Sequence, residues 1–184
     1  LFMAVFGCST DSTSPPPDEV AWLMAELATI EGPTDMALTG IWESPTGAVW
    51  LSGGSTEPEG GLLARLDGDI IRNSPTPTGP MLWWISGTDD QHIWACGDGG
   101  RILRFDGETW QQENTNLDAK TVLWGLWANT PTDIWAVGGS IRRGGPKGVV
   151  IHSEGDGHWE VIDDPSFPTD LNFYKVWGHS EDIT

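Results

Sequence analysis

Tryptophan and glycine return along this chain at a near-fixed interval, and that interval limits what it can fold into. The first tryptophan of each unit is Trp42, Trp84, Trp127 and Trp177, at spacings of 42, 43 and 50 residues. The second is Trp50, Trp94 and Trp135, and a glycine follows it three residues later at Gly53, Gly97 and Gly138. Further glycines open and close an apolar run: Gly61 and Gly68, Gly100 and Gly107, Gly148 and Gly155. Such periodicity is the mark of stacked supersecondary units, none of which hides its apolar surface alone. The units span about residues 38–80, 81–120 and 121–170, with a partial one at 171–184.

Within a unit the pattern is four short strands. In the second, Met81–Ser86, His92–Cys96, Arg101–Phe105 and Thr109–Gln112 are apolar or aromatic runs separated by polar and glycine-rich turns. The third repeats the plan at Leu123–Trp127, Asp133–Val137, Val149–His152 and His158–Ile162, and the first at Leu38–Trp42, Ala48–Leu51, Leu62–Leu66 and Asp69–Arg72. A fourth unit opens at Phe173–Trp177. Four strands in about 40–50 residues predict an all-β fold, a β-propeller of four-stranded antiparallel blades. Three units and parts of others make it an incomplete ring, within a body at 20–184. The Asp-Gly pairs suit type I′ hairpins, which need positive φ at both central residues. Glu19–Ile30 is ambiguous between helix and strand. Trp22 precedes Trp42 by 20 residues much as Trp110 precedes Trp127 by 17, which favours the fourth strand of a preceding blade.

Twelve tryptophans need a physical reason. A thin, wedge-shaped sheet cannot cover both its faces, and large flat rings fill the gap to the next sheet. Regular spacing assigns them to packing between blades, whereas a sugar platform would place them irregularly in loops.

Residues 1–8 are apolar and end in Val5-Phe-Gly-Cys8, which resembles the lipobox of bacterial lipoprotein signal peptides. The resemblance implies a diacylglycerol on the Cys8 thiol, with palmitate-type acylation. Ser9 after it is compatible with outer-membrane sorting in a Gram-negative bacterium. Residues 9–19, rich in Ser, Thr and Pro, read as a disordered tether. With Cys8 lipidated, Cys96 has no partner in the chain and reads as a small core filler alongside Ser52 and Val137 of the other units. The expected location is the cell envelope, on an outer-membrane lipid anchor, or the exterior.

A net charge of −18 repels phosphate backbones and argues against nucleic acid. The exception to this acidity is Ser140–Lys147, which holds Arg142, Arg143 and Lys147 and outgrows the repeat. Loops of that kind are candidate binding sites. His92, His152, His158 and His179 show no metal-ligand spacing, and neither Asp89-Asp90 nor Asp163-Asp164 has the ligand order of a calcium loop. No metal, cofactor or catalytic residue is expected.

Two stretches carry a family likeness: Trp127-Ala-Asn-Thr-Pro-Thr-Asp-Ile-Trp-Ala-Val-Gly138 and Gly100-Arg-Ile-Leu-Arg-Phe-Asp-Gly-Glu-Thr-Trp110. They resemble the repeats of bacterial Trp-rich, secreted or lipid-anchored β-propellers. Those in turn look like distant relatives of BNR/Asp-box sialidase-type and photosystem II assembly-factor-like propellers. The likeness implies a binding or scaffold module for protein or polysaccharide. The alternative is a fragment of a sialidase-like secreted glycoside hydrolase. Against it, Phe105 stands at the Asp-box aspartate position, Tyr174 is the single tyrosine, and the arginine pairs Arg101/Arg104 and Arg142/Arg143 form no evident triad.

Overall fold

A computed structural model of the chain describes residues 29–31, 36–168 and 170–178. Cys8, the 9–19 tether, Trp22, His179 and the end of the fourth unit lie outside the described residues. No helix occurs among those described.

Three antiparallel meanders follow one another. The first sheet holds β1 (Thr29–Glu31), β2 (Ala37–Glu43), β3 (Val49–Gly54), β4 (Gly61–Asp67) and β5 (Ile70–Asn73), in the order β1-β5-β4-β3-β2. The second is β6 (Leu82–Asp89), β7 (His92–Gly97), β8 (Ile102–Phe105) and β9 (Trp110–Glu113). The third is β10 (Val122–Thr130), β11 (Asp133–Gly139), β12 (Val149–Ser153) and β13 (Glu160–Val161). All four strands expected in each full unit are present. The first strands β2, β6 and β10 pack against one another, so the sheets fan out from a shared inner edge.

The core lies between sheets. Trp50 and Leu63 of the first sheet are buried with Leu82, Ile85, Ile93 and Leu103 of the second. Trp50 meets Phe105 at 5.0 Å and Trp110 at 5.7 Å. One interface along, Trp94, Cys96 and Ile102 are buried with Leu123, Leu126, Ile134, Ile151 and Trp159 of the third sheet. Burial of one such side chain contributes about 1.5–3 kcal/mol. A hydrogen bond latches each junction at the outside: Trp110 Nε1 donates to Ser74 Oγ at 3.2 Å, and Trp159 Nε1 to Glu113 Oε2 at 2.7 Å. Paired across strands with Trp50, Trp94 and Trp135 are Arg65, Arg104 and His152. The two guanidinium groups sit 5.6 Å from their indoles, and the imidazole lies 4.4 Å from the Trp135 ring.

The repeat glycines have a steric reason. A Cβ on Gly53, Gly97 or Gly138 would come 2.1, 2.1 and 2.0 Å from the carbonyl oxygens of Ala37, Met81 and Val122. Only glycine lets the second strand close on the start of the first there.

Three expectations need correction. Trp84 is not the counterpart of Trp42 and Trp127: those face Trp50 and Trp135, but Trp94 faces Ser86, and Trp84 faces Cys96. The Trp–Trp intervals are eight residues in the first and third units and ten in the second because Trp84 stands two positions earlier on its strand, and Ser86 holds the place of Trp42 and Trp127. The Asp-Gly hairpins are not type I′, since Gly68 and Gly107 have φ of +59° and +98° while neither Asp67 nor Asp106 has positive φ. At the second turn the Asp106 carboxylate accepts from the Glu108 and Thr109 amides instead. Phe173–Trp177 runs beside β10 without forming a ladder strand. An inner strand gains its ladder from a second strand, and none faces it among the described residues. Most of Glu19–Ile30 lies outside the described residues, and only its end is placed, in Thr29–Glu31. It pairs in parallel with β5 as a fifth, outermost strand. The edge of β5 lies open to it, and no earlier sheet occurs among the described residues.

Candidate recognition rim

Strand register fixes which parts share an end of the molecule. Leu38, Leu82 and Leu123, near the starts of the inner strands, pair with Gly53, Gly97 and Gly138 at the ends of the second strands. The β3–β4, β7–β8 and β11–β12 loops therefore gather at one rim, with the connectors between sheets.

Each inner strand carries a bulge at this rim. The bulged residues are Thr39, Trp83 and Trp124, each inserted between two paired positions. Tyr174 continues the row. Trp83 and Trp124 lie 4.8 Å apart between ring centroids, and Trp124 and Tyr174 5.6 Å. Trp83 and Trp124 are half-buried, and Tyr174 is 55% exposed. Trp83 Nε1 donates to Asp98 Oδ1 at 2.7 Å, which fixes its ring. In the first sheet, Thr39 Oγ1 donates to the Leu82 carbonyl at 2.7 Å and so ties neighbouring inner strands. Lys175 reaches across from the fourth unit. Its ammonium lies 3.2 Å from the centroid of Trp84 and donates to the Trp124 carbonyl, and partial burial lowers its pKa.

The basic loop lies on the same rim, between β11 and β12. Lys147 Nζ donates to the Ser140 carbonyl, which also accepts from Asn172 Nδ2. Arg142 and Arg143 are exposed. Neither makes an ion pair among the described residues. Lys120 flanks the loop, since a Cβ on Gly145 would fall 3.2 Å from its own. The rim thus concentrates cations in a chain of net charge −18.

Other sequence candidates sit elsewhere. Trp42, Trp50, Trp84 and Trp94 pack between sheets, Trp135 is half-buried on His152, and Trp177 is 83% exposed. Two of the histidines do find carboxylates. His92 Nδ1 lies 2.8 Å from Asp89 Oδ1, and His152 Nε2 lies 2.9 Å from Asp133 Oδ1. The second pair is 19 residues apart, so only β11–β12 pairing assembles it. Asp133 also accepts from Asn129 and Trp135. Asp90 accepts from Thr46 across the first junction. Among the described residues no group of three or more His, Cys, Asp or Glu could hold a metal ion. Phe105 is buried against Trp50 and Trp110. Arg101 is 4% exposed and donates to the carbonyls of Pro80 and Pro77, pinning the first connector. Cys96 is a free, buried thiol whose pKa burial pushes up to about 12. It faces Trp84 as Ser52 faces Gly40 and Val137 faces Gly125, as its place in the repeat implied.

Sheets fanned from a shared inner edge, each a four-stranded meander, decide the architecture. The chain has a β-propeller fold. No protein-family model and no curated protein matches this propeller's sequence. Solved structures do match in shape. YCF48 bound to a D1 peptide superposes with a TM-score of 0.51 at 17% identity, over 72% of this chain and 41% of that one. YCF48 from Cyanidioschyzon merolae gives 0.55 at 14% identity, over 76% and 44%. A catalytically inactive virginiamycin B lyase from Staphylococcus aureus, with quinupristin, gives 0.55 at 21% identity, over 73% and 43%. The chain spans less than half the length of these neighbours. The likeness is one of fold.

Proposed function

We propose that this propeller is a lipid-anchored module of the bacterial envelope that holds a protein partner on its rim. One observation carries the reading: unpaired cations and half-exposed aromatic rings are brought to the same end of the sheets. Charges without carboxylate partners keep their full attraction for an acidic segment, and aromatic side chains supply contact area at low entropy cost. A YCF48 propeller that binds a D1 peptide is a precedent for peptide recognition by this architecture. Position supports the anchor: Cys8 stands at the end of an apolar run and before a polar tether.

A photo-crosslinking side chain installed at position 143 tests the rim in intact cells. A discrete crosslinked protein is expected, and Arg142→Glu should abolish it. Crosslinks that ignore this charge reversal would remove the rim from consideration. For the anchor, Cys8→Ala should end labelling by a palmitate analogue, and unchanged labelling would reject it.

A further inference from the structure

We infer that the rim also carries a binding site for an uncharged oligosaccharide, built from Trp83, Trp124 and Tyr174 and the polar cleft beside them. The inference rests on the rim being the recognition surface, and it names a ligand chemistry for the part of the rim away from the basic loop.

The three rings are surplus to packing between sheets. The junctions are filled by Trp50 with Phe105 and Trp110, and by Trp94 with Trp159. At the bulge itself the first sheet manages with Thr39, so the fold does not demand a ring there. Yet β6, β10 and the fourth-unit segment beside them each present one, in contact at 4.8 and 5.6 Å, with Tyr174 the most exposed. Successive rings are tilted by 49° and 38°, so the partly exposed row is stepped, and it offers apolar faces to the C–H faces of sugar rings.

The polar half of the site adjoins Trp83. A cleft of about 590 Å³ is lined by Asp98, Gln112, Glu113, Asn114, Thr115 and Asn116. Asp98 belongs to both parts, since the carboxylate that lines the cleft also holds the Trp83 indole. Amide, hydroxyl and carboxylate groups on one wall suit adjacent hydroxyls, and a few fixed polar groups beside an apolar surface are what orient a small ligand. Asp98 and Glu113 outnumber Arg101 in the cleft lining, and the Arg101 guanidinium is turned onto the Pro77 and Pro80 carbonyls, so a carboxylated or sulfated sugar is disfavoured and a neutral chain fits better. A proline-rich peptide would use the rings and its carbonyls would accept from the amides, but it lacks the donors that sugar hydroxyls supply to the Asp98 and Glu113 carboxylates.

Affinity electrophoresis of the whole chain, in native gels containing neutral soluble glucan, xylan or galactomannan, tests this. Retardation by at least one is expected, with Trp83→Ala and Trp124→Ala each weakening it by about tenfold or more. Trp124→Phe, which keeps a flat ring, should restore most of it in a chain of unchanged fold. Arg142→Glu/Arg143→Glu should leave retardation intact, which separates this site from protein capture by the basic loop. The inference is overturned if no neutral polysaccharide retards the chain, or if only polyuronate or a proline-rich peptide binds. It falls too if Trp83→Ala/Trp124→Ala still binds, or if the charge reversal abolishes binding.

Discussion

Trp50 and Trp177 carry the same side chain in opposite circumstances. Trp50 is 4% exposed and touches two aromatic rings of the next sheet, whereas Trp177 is 83% exposed. Trp50→Ala is therefore expected to cost about 3–5 kcal/mol, and Trp177→Ala to change stability by no more than about 0.5 kcal/mol. Chemical denaturation of both variants checks this. Two carboxylates predict opposite responses to acid. Burial raises the pKa of Glu113, against a hydrogen bond from Trp159 and the Arg104 charge. Folding disfavours its ionised form, so Glu113 subtracts stability above its raised pKa and ceases to once protonated. Glu113→Gln keeps an acceptor for Trp159 and should raise Tm at neutral pH, with the gain vanishing in acid. At Asp133 burial acts upward, but hydrogen bonds from Asn129, His152 and Trp135 hold the pKa below the ordinary carboxylate value. Its contribution is present above its unfolded pKa and is lost as pH falls through the folded one. Asp133→Asn should lower Tm at neutral pH and converge on the parent as acid takes the pH below the ordinary aspartate range. A difference that stays constant across the titration would rule this out.

At the scale of elements, close backbone approach governs how strands meet. Gly97 brings the end of β7 against the Met81 carbonyl, where a Cβ would lie at 2.1 Å. Gly97→Ala should cost about 1–3 kcal/mol or more, since the Met81 carbonyl is held by the Asp98 amide at 3.0 Å and cannot swing aside without losing that bond. Gly125 does the same between β10 and the fourth unit: a Cβ there would meet Lys175 Cα and the Tyr174 carbonyl oxygen at 2.8 Å. Gly125→Ala should loosen 171–178 and speed tryptic cleavage after Lys175, with β6–β9 unaffected. Equal cleavage rates would show that this approach does not hold the segment. Much of the element plan was legible: apolar runs between glycine-rich turns gave the strands of all three sheets. The correspondence of Trp84 was misread although the intervals of eight, ten and eight residues contained the answer. Reading it needed the knowledge that the Trp94 partner is chosen by register rather than by residue type. The bulges at Trp83 and Trp124 leave no mark in composition, because a bulge is set by pairing across two strands.

For the molecule as a whole, three sheets side by side leave aromatic surface at the fourth unit. Leu171, Tyr174 and Trp177 are 56%, 55% and 83% exposed. Open apolar surface of this sort promotes association. The 184-residue chain alone is expected to self-associate as its concentration rises, and Trp177→Ser/Leu171→Ser to lessen this, as light scattering with size-exclusion chromatography would show. A chain that stays monomeric throughout would mean that the surface is protected.

The sequence by itself determined the repeat, the four-strand unit, the glycines and the tryptophans that fill sheet junctions, because each follows from spacing along one chain. It also marked the basic loop, whose length departs from the repeat. Tertiary structure alone decided that this loop shares a rim with Trp83, Trp124 and Tyr174, that His152 meets Asp133, and that Trp84 lies under Lys175. Those contacts join residues of different strands and different sheets, and register and the angle between blades, which no local pattern encodes, set which of them meet.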